Sequence, residues 1–364
     1  MRVLFVFNHP APYKVNLFNE LAKSVDLHVI FEREKANDRP DSFYSQNIFN
    51  FRHDFLKRGS FSKENSNTGE LKAFIARNYQ NYDLIIMNGY STLTEMRTIR
   101  YMNKNHLPYI FYINGGVVKK ENFLTRKIKK YFIGSAYKYL SPCLEADEYL
   151  RHYGANPIDI YHYPYSTFFD KDVLASPLSP QEKQTIQKTY NLPSSPLFVT
   201  AGQFIERKNN LLLISLFKDR PENLLLIGSG PLEGKYLQYI KENDLKNVFV
   251  RKFLPHDELF KILKGCDCFV TLSKEDIYGH TTNEAMANGL PVISSDCVVS
   301  SRHLIKNGSN GFLVSLDDKE GIINAIDSID DKMSGQAIKT ARENTIEKTA
   351  KAHIEIFKEV LKCK

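Results

Sequence analysis

Apolar runs at 3–7, 26–31, 82–87 and 108–113 alternate with stretches at 13–22, 92–103 and 122–137. In those stretches apolar residues recur at helical spacing, as Val15, Leu17, Phe18 and Leu21 do. The alternation predicts a parallel sheet covered by helices. A short strand at 139–141, a helix at 144–153 stopped by Gly154 and a strand at 159–163 complete the first half. Between them, 33–69 is polar and irregular, with one or two strands and a loop expected there. The pattern restarts after a Pro- and Ser-rich segment that has one helical piece at 180–190. Strands are expected at 197–201, 223–228, 248–251, 269–272 and 311–314, and one opening at Val292. Helices are expected at 210–217, 232–242, 257–265, 302–307, 319–331 and 339–361. The fold class is therefore α/β, with two Rossmann-like, doubly wound parallel-sheet domains. Their expected bounds are 1–164 and 197–340, with a linker at 165–196 and a C-terminal helix, 341–364, packing back toward the first domain. Two such domains are expected to face each other across a cleft and bind a ligand at their strand ends.

Composition narrows the class. Hydrophobic content of 42% with 25% charged residues is that of a globular chain, not a disordered one. No apolar run is long enough for a transmembrane helix, and the opening apolar run stops at Asn8-His9-Pro10, so it reads as a buried strand rather than a signal peptide. The five cysteines are scattered, without zinc or thioredoxin spacing, which points to a reduced, cytoplasmic setting. A net charge of +7 calls for an anionic partner: nucleic acid, lipid headgroups or a phosphorylated substrate.

The most informative stretch is 272–293, LSKEDIYGHTTNEAMANGLPVI. Its pattern is strand, loop, short helix, strand. Thr281 or Thr282 is a candidate helix cap, with Glu284 completing a capping box after Thr281. Gly289 suits the helix C-terminus, and Pro291 prevents continuation. Gly279 and His280 would then offer backbone N–H groups at a helix start, where a phosphate is well held. Asp276 and Glu284 flank that tip and are candidates for accepting sugar hydroxyls. Taken singly, Glu284 serves equally as a capping residue and Asp276 as a solvated loop acid. Together, 276–292 resembles the donor-site signature of retaining glycosyltransferases of family four, which have the GT-B fold. The first acidic position, commonly glutamate in that family, is Asp276 here with Glu275 just before it, so either is a candidate to face the donor.

Three further motifs belong to the same half. Gly202-Gln-Phe-Ile-Glu-Arg207-Lys208 lies between a strand and a helix, and its two cations suit a diphosphate, Arg207 by a forked contact and Lys208 as a point charge. The placement is similar to the family's Arg/Lys pair. Gly228-Ser-Gly230 after a strand reads as a lone dinucleotide fingerprint, but Pro231 and the lack of a suitable acid further on count against that reading. The resemblance also places a nucleotide base near Phe253 and Leu254. Ser300-Ser301-Arg302 reads as a weaker candidate or as plain helix capping.

In the first half His9, Tyr13 and Asn114-Gly115-Gly116 sit at predicted strand ends or just beyond them, and the resemblance implies acceptor binding there. Lys119, Lys120, Arg126, Lys127, Lys129 and Lys130, with Tyr131 and Phe132, make a basic, aromatic helix. It is read either as a solvated face or as a patch on the cytoplasmic face of the inner membrane. No nucleic-acid module surrounds these charges, and no nucleic-acid partner is expected.

The resemblance implies transfer of a sugar from a nucleoside diphosphate sugar, with retention, to a saccharide or lipid-linked acceptor. Arg207, Lys208, Asp276 and Glu284 would carry it, no metal or other cofactor being expected. The setting implied is capsular, exopolysaccharide or other cell-surface glycan assembly. A sugar-nucleotide epimerase, a phosphorylase and an inactive sugar-nucleotide-binding scaffold subunit are the alternatives.

Overall fold

The computed structural model describes residues 1–36, 41–44, 47–56 and 69–362. Parts of the polar stretch 33–69, and Cys363, lie outside the described residues. The chain divides into two compact units, Met1–Thr167 with Thr345–Lys364, and Phe168–Asn344.

The first unit runs β1 (Arg2–Phe7), α1 (Pro12–Ala22), β2 (Asp26–Phe31), β3 (Arg52–Phe55), α2 (Glu70–Asn78), β4 (Leu84–Met87), α3 (Leu93–Lys104), β5 (Ile110–Tyr112), α4 (Phe123–Ile133), β6 (Lys138–Ser141), α5 (Leu144–His152), β7 (Ile160–His162). Its seven strands are parallel, in the order β3-β2-β1-β4-β5-β6-β7. β1 is an interior strand, and residues 3–7 are buried, which explains an unbroken apolar run rather than an alternating one. The chain winds outward through β2 and β3, then crosses back to β4, which places a topological switch between β1 and β4.

The second unit runs α6 (Pro180–Thr189), β8 (Leu197–Ala201), α7 (Asn210–Leu216), β9 (Asn223–Ile227), α8 (Glu233–Glu242), β10 (Val248–Arg251), α9 (His256–Leu263), β11 (Cys268–Thr271), α10 (His280–Ala287), β12 (Val292–Ser295), α11 (Val299–Leu304), β13 (Gly311–Val314), α12 (Lys319–Asp327), α13 (Met333–Arg342). Six parallel strands lie in the order β10-β9-β8-β11-β12-β13, with the switch between β8 and β11. Successive strand residues feed opposite layers: Leu197, Val199, Leu225 and Phe269 one side, Phe198, Leu224, Leu226 and Val270 the other. Cys266 and Cys268 are fully buried in these two layers, and burial pushes both thiols up.

Three expected boundaries move. The segment 165–196 is not a free linker: from Phe168 on it is built into the second unit. α6 is anchored there by Lys183 Nζ to Asp267 (2.8 Å) and Gln187 Nε2 to the Gly265 carbonyl (2.9 Å). The helix expected at 339–361 is broken at 343–345, and α14 (Ile346–Lys362) returns to the first unit, where it packs on α1. There Thr349 Oγ1 donates to the Pro164 carbonyl (2.7 Å) and the His353 ring lies against Tyr163 and Tyr112. The helix expected at 302–307 is α11, which starts at Val299.

Candidate functional site

The C-terminal ends of β8 and β11, on either side of the second unit's switch, carry the charged residues read from the sequence. After β8 the chain turns at Gly202, and Phe204 buries completely while the short helical turn Glu206–Lys208 presents two cations. The Gly228-Ser-Gly230 motif explains how that loop can pack so closely. A Cβ at Gly228 would run into the Gly202 carbonyl, and one at Gly230 would lie 2.6 Å from the Phe204 carbonyl oxygen. The motif therefore seats the cation-bearing loop.

After β11 the loop 272–279 crosses to meet it. Lys274 N–H donates to the Arg207 carbonyl (2.7 Å), and Arg207 Nη1 donates to the Glu275 carbonyl (3.3 Å). Lys208 Nζ lies 2.6 Å from Asp276 Oδ2, and Arg207 Nη1 lies 3.6 Å from the same oxygen. The Lys208 and Asp276 side chains are only 12% and 17% exposed, so water screens this pair weakly, whereas Arg207 is nearly half exposed. Asp276 is fixed from behind by its own backbone, which accepts from Val299 N–H (3.2 Å) and donates to the Cys297 carbonyl (3.1 Å). Of the two candidate acids, Asp276 is the one whose carboxylate meets both cations. Glu275 meets Arg207 through its carbonyl.

Just beyond, α10 begins. The expected caps differ from what forms: the N-cap residue is Gly279, at φ 88°, which brings no side chain of its own to the cap. Thr282 Oγ1 instead shares a hydrogen bond with Ser301 Oγ (2.8 Å), and Glu284 forms no capping box. A Cβ at Gly279 would collide with Val298 Cγ1, and Ser300 Oγ donates to the Gly279 carbonyl (2.8 Å). Ser300 and Ser301, buried in the first turn of α11, thus bolt the α10 start to that helix. Sequence reasoning gave them little weight, although two adjacent serines at a strand–helix junction were visible. His280 and Thr281 open the first turn, and Glu284 follows one turn along the same face as His280. Phe253, more than half exposed, and Leu254, packed on the core, follow the edge strand β10, two strands away from β8.

In the first unit, His9 follows β1 and meets Tyr44 Oη at 3.1 Å through Nδ1. Asn114-Gly115-Gly116 follows β5, Asn114 Nδ2 donating to Asn88 Oδ1 (3.2 Å) past the end of β4. Gly116 lies against the Tyr149 ring. Tyr13 packs on Tyr165. Of the basic residues, Lys129 turns inward to Glu121 (2.7 Å) and Tyr153 Oη (3.2 Å), and Phe132 stacks on Tyr90, so neither belongs to the outer patch expected of them.

Three buried ionisable residues escaped the sequence reading. Lys14 is 1% exposed, donates to Tyr112 Oη at 2.5 Å and sits over the Tyr165 ring at 4.1 Å; burial holds its amine well below the usual lysine range. Its signal was a lysine three and four residues before Leu17 and Phe18, on the apolar face of α1. Glu32 and Glu95 both meet Thr92, whose hydroxyl donates to Glu32 Oε1 (2.8 Å). Burial first, and the Glu32 charge second, raise the Glu95 carboxyl above the ordinary carboxylate range.

Residues 182–350 match the model of the family described as glycosyl transferases group 1. An uncharacterized glycosyltransferase of Methanocaldococcus jannaschii is 30% identical over 129 residues, 34% of this chain and 32% of that protein. The Escherichia coli UDP-Gal:alpha-D-GlcNAc-diphosphoundecaprenol alpha-1,3-galactosyltransferase is 30% identical over 163 residues, 42% of this chain and 41% of that protein. These matches span about a third to two fifths of the relatives' length. The crystal structure of Anabaena Alr3699/HepE in complex with UDP superposes with a TM-score of 0.76 at 15% identity, covering 99% of both chains. A glycosyltransferase from Rickettsia africae gives 0.75 at 16% identity, again with 99% of both chains. The fold is thus that of GT-B proteins, two Rossmann-like parallel-sheet domains, and the match to the glycosyl transferases group 1 model lies in the second unit and the start of α14. Among the described residues no helix is long and apolar enough to cross a membrane.

Proposed function

We propose that this protein is a glycosyltransferase of family four that moves a sugar from a nucleoside diphosphate sugar onto a saccharide, lipid-linked acceptor with retention of configuration. The observation that carries the reading is the set at the second unit's switch: Lys208 and Arg207 on one oxygen of Asp276, beside an α10 start whose N-cap residue is a glycine. When the sugar–diphosphate bond breaks, its electron pair goes to the leaving phosphate oxygen while positive charge develops on the sugar. Lys208, Arg207 and the α10 N-terminus would oppose the first charge and Asp276 the second, most strongly in the transition state. Glu284 would accept donor hydroxyls, Phe253 and Leu254 would flank the base, and His9 with 114–116 would meet the acceptor. Cations and backbone dipoles in these places supply the charge stabilisation a divalent metal gives elsewhere, so transfer is expected to need no metal. The Anabaena neighbour's complex with UDP makes uridine nucleotides the first donors to try. The Escherichia coli relative's named lipid diphosphate acceptor supports a cell-surface glycan setting.

The test is a thermal-shift series with nucleoside diphosphate sugars, with and without chelator, followed by transfer assays and NMR of the product anomer. A donor at about 100 times its dissociation constant stabilises by roughly 2.7 kcal/mol. A shift with one donor, unchanged by chelator, is expected, as is loss of transfer in Asp276→Ala and Glu284→Ala. No shift with any donor or with free UDP would sink the reading in favour of a scaffold.

A further inference from the structure

Helix α4 is amphipathic in the opposite sense to a core-facing helix. Leu124, Ile128 and Tyr131 recur at i, i+4 and i+7, the stripe by which a helix usually sits on its own core. Here the stripe faces outward: Leu124 is 66% exposed, Ile128 43% and Tyr131 46%, with Phe123 beside them at 81%. The inner side carries Thr125, whose N–H is capped by Asn122 (2.8 Å), the Lys129–Glu121 pair, and Phe132 stacked on Tyr90. The helix is held to the first unit by these contacts and by Ile133, fully buried at its C-terminal end, while the stripe Leu124, Ile128 and Tyr131 is left in water. The strap before it adds exposed Val117 and Val118.

The charge around this apolar surface is one-sided. Lys119, Lys120, Arg126, Lys127 and Lys130 are exposed, and the one acid in 117–131 is Glu121, already bound by Lys129. A second copy of this chain seated on the patch by a two-fold axis would set like cations against like, which disfavours it. A nucleic acid would use the cations but not the aliphatic stripe. An anionic bilayer surface uses both.

We propose that α4 and the strap 117–122 dock on an anionic phospholipid surface. Phe123, Leu124, Ile128 and Tyr131 enter the boundary between headgroups and acyl chains, and the five cations meet lipid phosphates. The strap leaves directly from Asn114-Gly115-Gly116 at the C-terminal end of β5, so the docked surface is continuous with the end of the sheet proposed for acceptors. The placing of a lipid-linked acceptor there rests on the transferase reading; the docking itself stands on α4.

The experiment is vesicle flotation of the purified protein. Phosphatidylcholine vesicles are compared with an equimolar phosphatidylcholine–phosphatidylglycerol mixture, alongside analytical ultracentrifugation. The protein is expected to float with the anionic vesicles only. Leu124→Ser with Ile128→Ser should weaken partitioning by about tenfold or more, and Lys127→Glu or Lys130→Glu by roughly fivefold or more each. Both sets lie at exposed positions, so their melting temperature and donor-induced shift should match the parent, which shows that they fold. No flotation of the parent would overturn the proposal. So would undiminished flotation of the serine variant, or a parent dimer that the serine variant turns to monomer. Donor binding without flotation defeats the docking alone, and flotation without donor binding defeats the transferase reading alone.

Discussion

In each unit a helix begins just past the first strand beyond the topological switch: α3 after β4 in the first unit, α10 after β11 in the second. Both therefore bring a positive helix end to the place where parallel sheets of this kind bind ligands. In α3 that end is already filled. Thr92 Oγ1 accepts from Glu95 N–H (3.1 Å), and Glu95 Oε2 accepts from Thr92 N–H and from Ser91 Oγ, each at 3.1 Å. The protein supplies its own carboxyl group to these N–H groups, uncharged below about pH 8 but occupying the place of a ligand. In α10 the residue at the corresponding third position is Thr282, whose hydroxyl meets Ser301 instead, and the N-cap is a glycine. The same topology thus offers an anion site twice, and the residues in one helical turn decide which is taken by the protein itself. The cations differ in the same way: Lys14 is sealed under aromatic rings, whereas Lys208 is held by a carboxylate at a loop edge with Arg207 open beside it.

The largest effect expected tests the second unit's side of this contrast. Lys208→Ala removes the cation nearest Asp276 and leaves that carboxylate with the more distant Arg207 alone. Losing one preorganised charge-stabilising contact typically costs about 10²–10³ in turnover, roughly 3–4 kcal/mol. Transfer should fall by that amount while donor affinity, read by calorimetry, falls much less. An equal drop in both would mean Lys208 serves ground-state binding only.

Next in size is a test of the first unit's closed site. Glu95 holds a proton in the folded protein that the unfolded chain releases between the ordinary carboxylate range and about 8. Its contribution to stability is therefore full at low pH and is lost as pH rises through that window, at up to about 1.4 kcal/mol per pH unit. Glu95→Gln keeps an N–H donor beside Glu32 and abolishes the titration. Denaturant unfolding from about pH 5 to about pH 9 should show the variant gaining on the parent as pH rises. His353 has the opposite sign: burial, then Lys14, lowers its pKa to about 3, so its contribution is lost as pH falls. It is common to both proteins and cancels in the difference. Parallel curves would show that Glu95 is ionised in the folded state.

How much of this was legible in the sequence depends on whether a residue acts through the pattern it lies in or through a partner far along the chain. The strands, the two windings and the loop 276–292 were readable because the apolar runs and Gly/Pro signals are local. Lys208 and Arg207 could be placed at a strand end for the same reason. The Lys208–Asp276 pair joins residues 68 positions apart, and nothing local specifies it. Gly228-Ser-Gly230 was ambiguous because its meaning lies in the Gly202 carbonyl it admits. The helix start at His280 was misjudged because Thr281 and Thr282 have the right chemistry for a cap. The deciding contact, Thr282 with Ser301, comes from another strand–helix junction. Thr92-x-x-Glu95, by contrast, was a capping box in plain view, and it was passed over because the helix around it drew no functional interest.

The smallest effect expected would turn the second unit into a likeness of the first. Thr281 lies in the first turn of α10, half-buried, at a position where a carboxylate favours the helix dipole by about 0.3–1 kcal/mol. Thr281→Asp should therefore raise the melting temperature slightly. If this helix end receives the donor's diphosphate, the same carboxylate repels it, and free UDP should bind roughly tenfold more weakly, about 1.4 kcal/mol. Higher stability with weaker binding is the combination that a self-supplied anion predicts, and a general disturbance of the fold would lower both. Higher stability with unchanged UDP affinity would place the diphosphate on Arg207 and Lys208 alone, and the contrast between α3 and α10 would then concern stability rather than ligand binding.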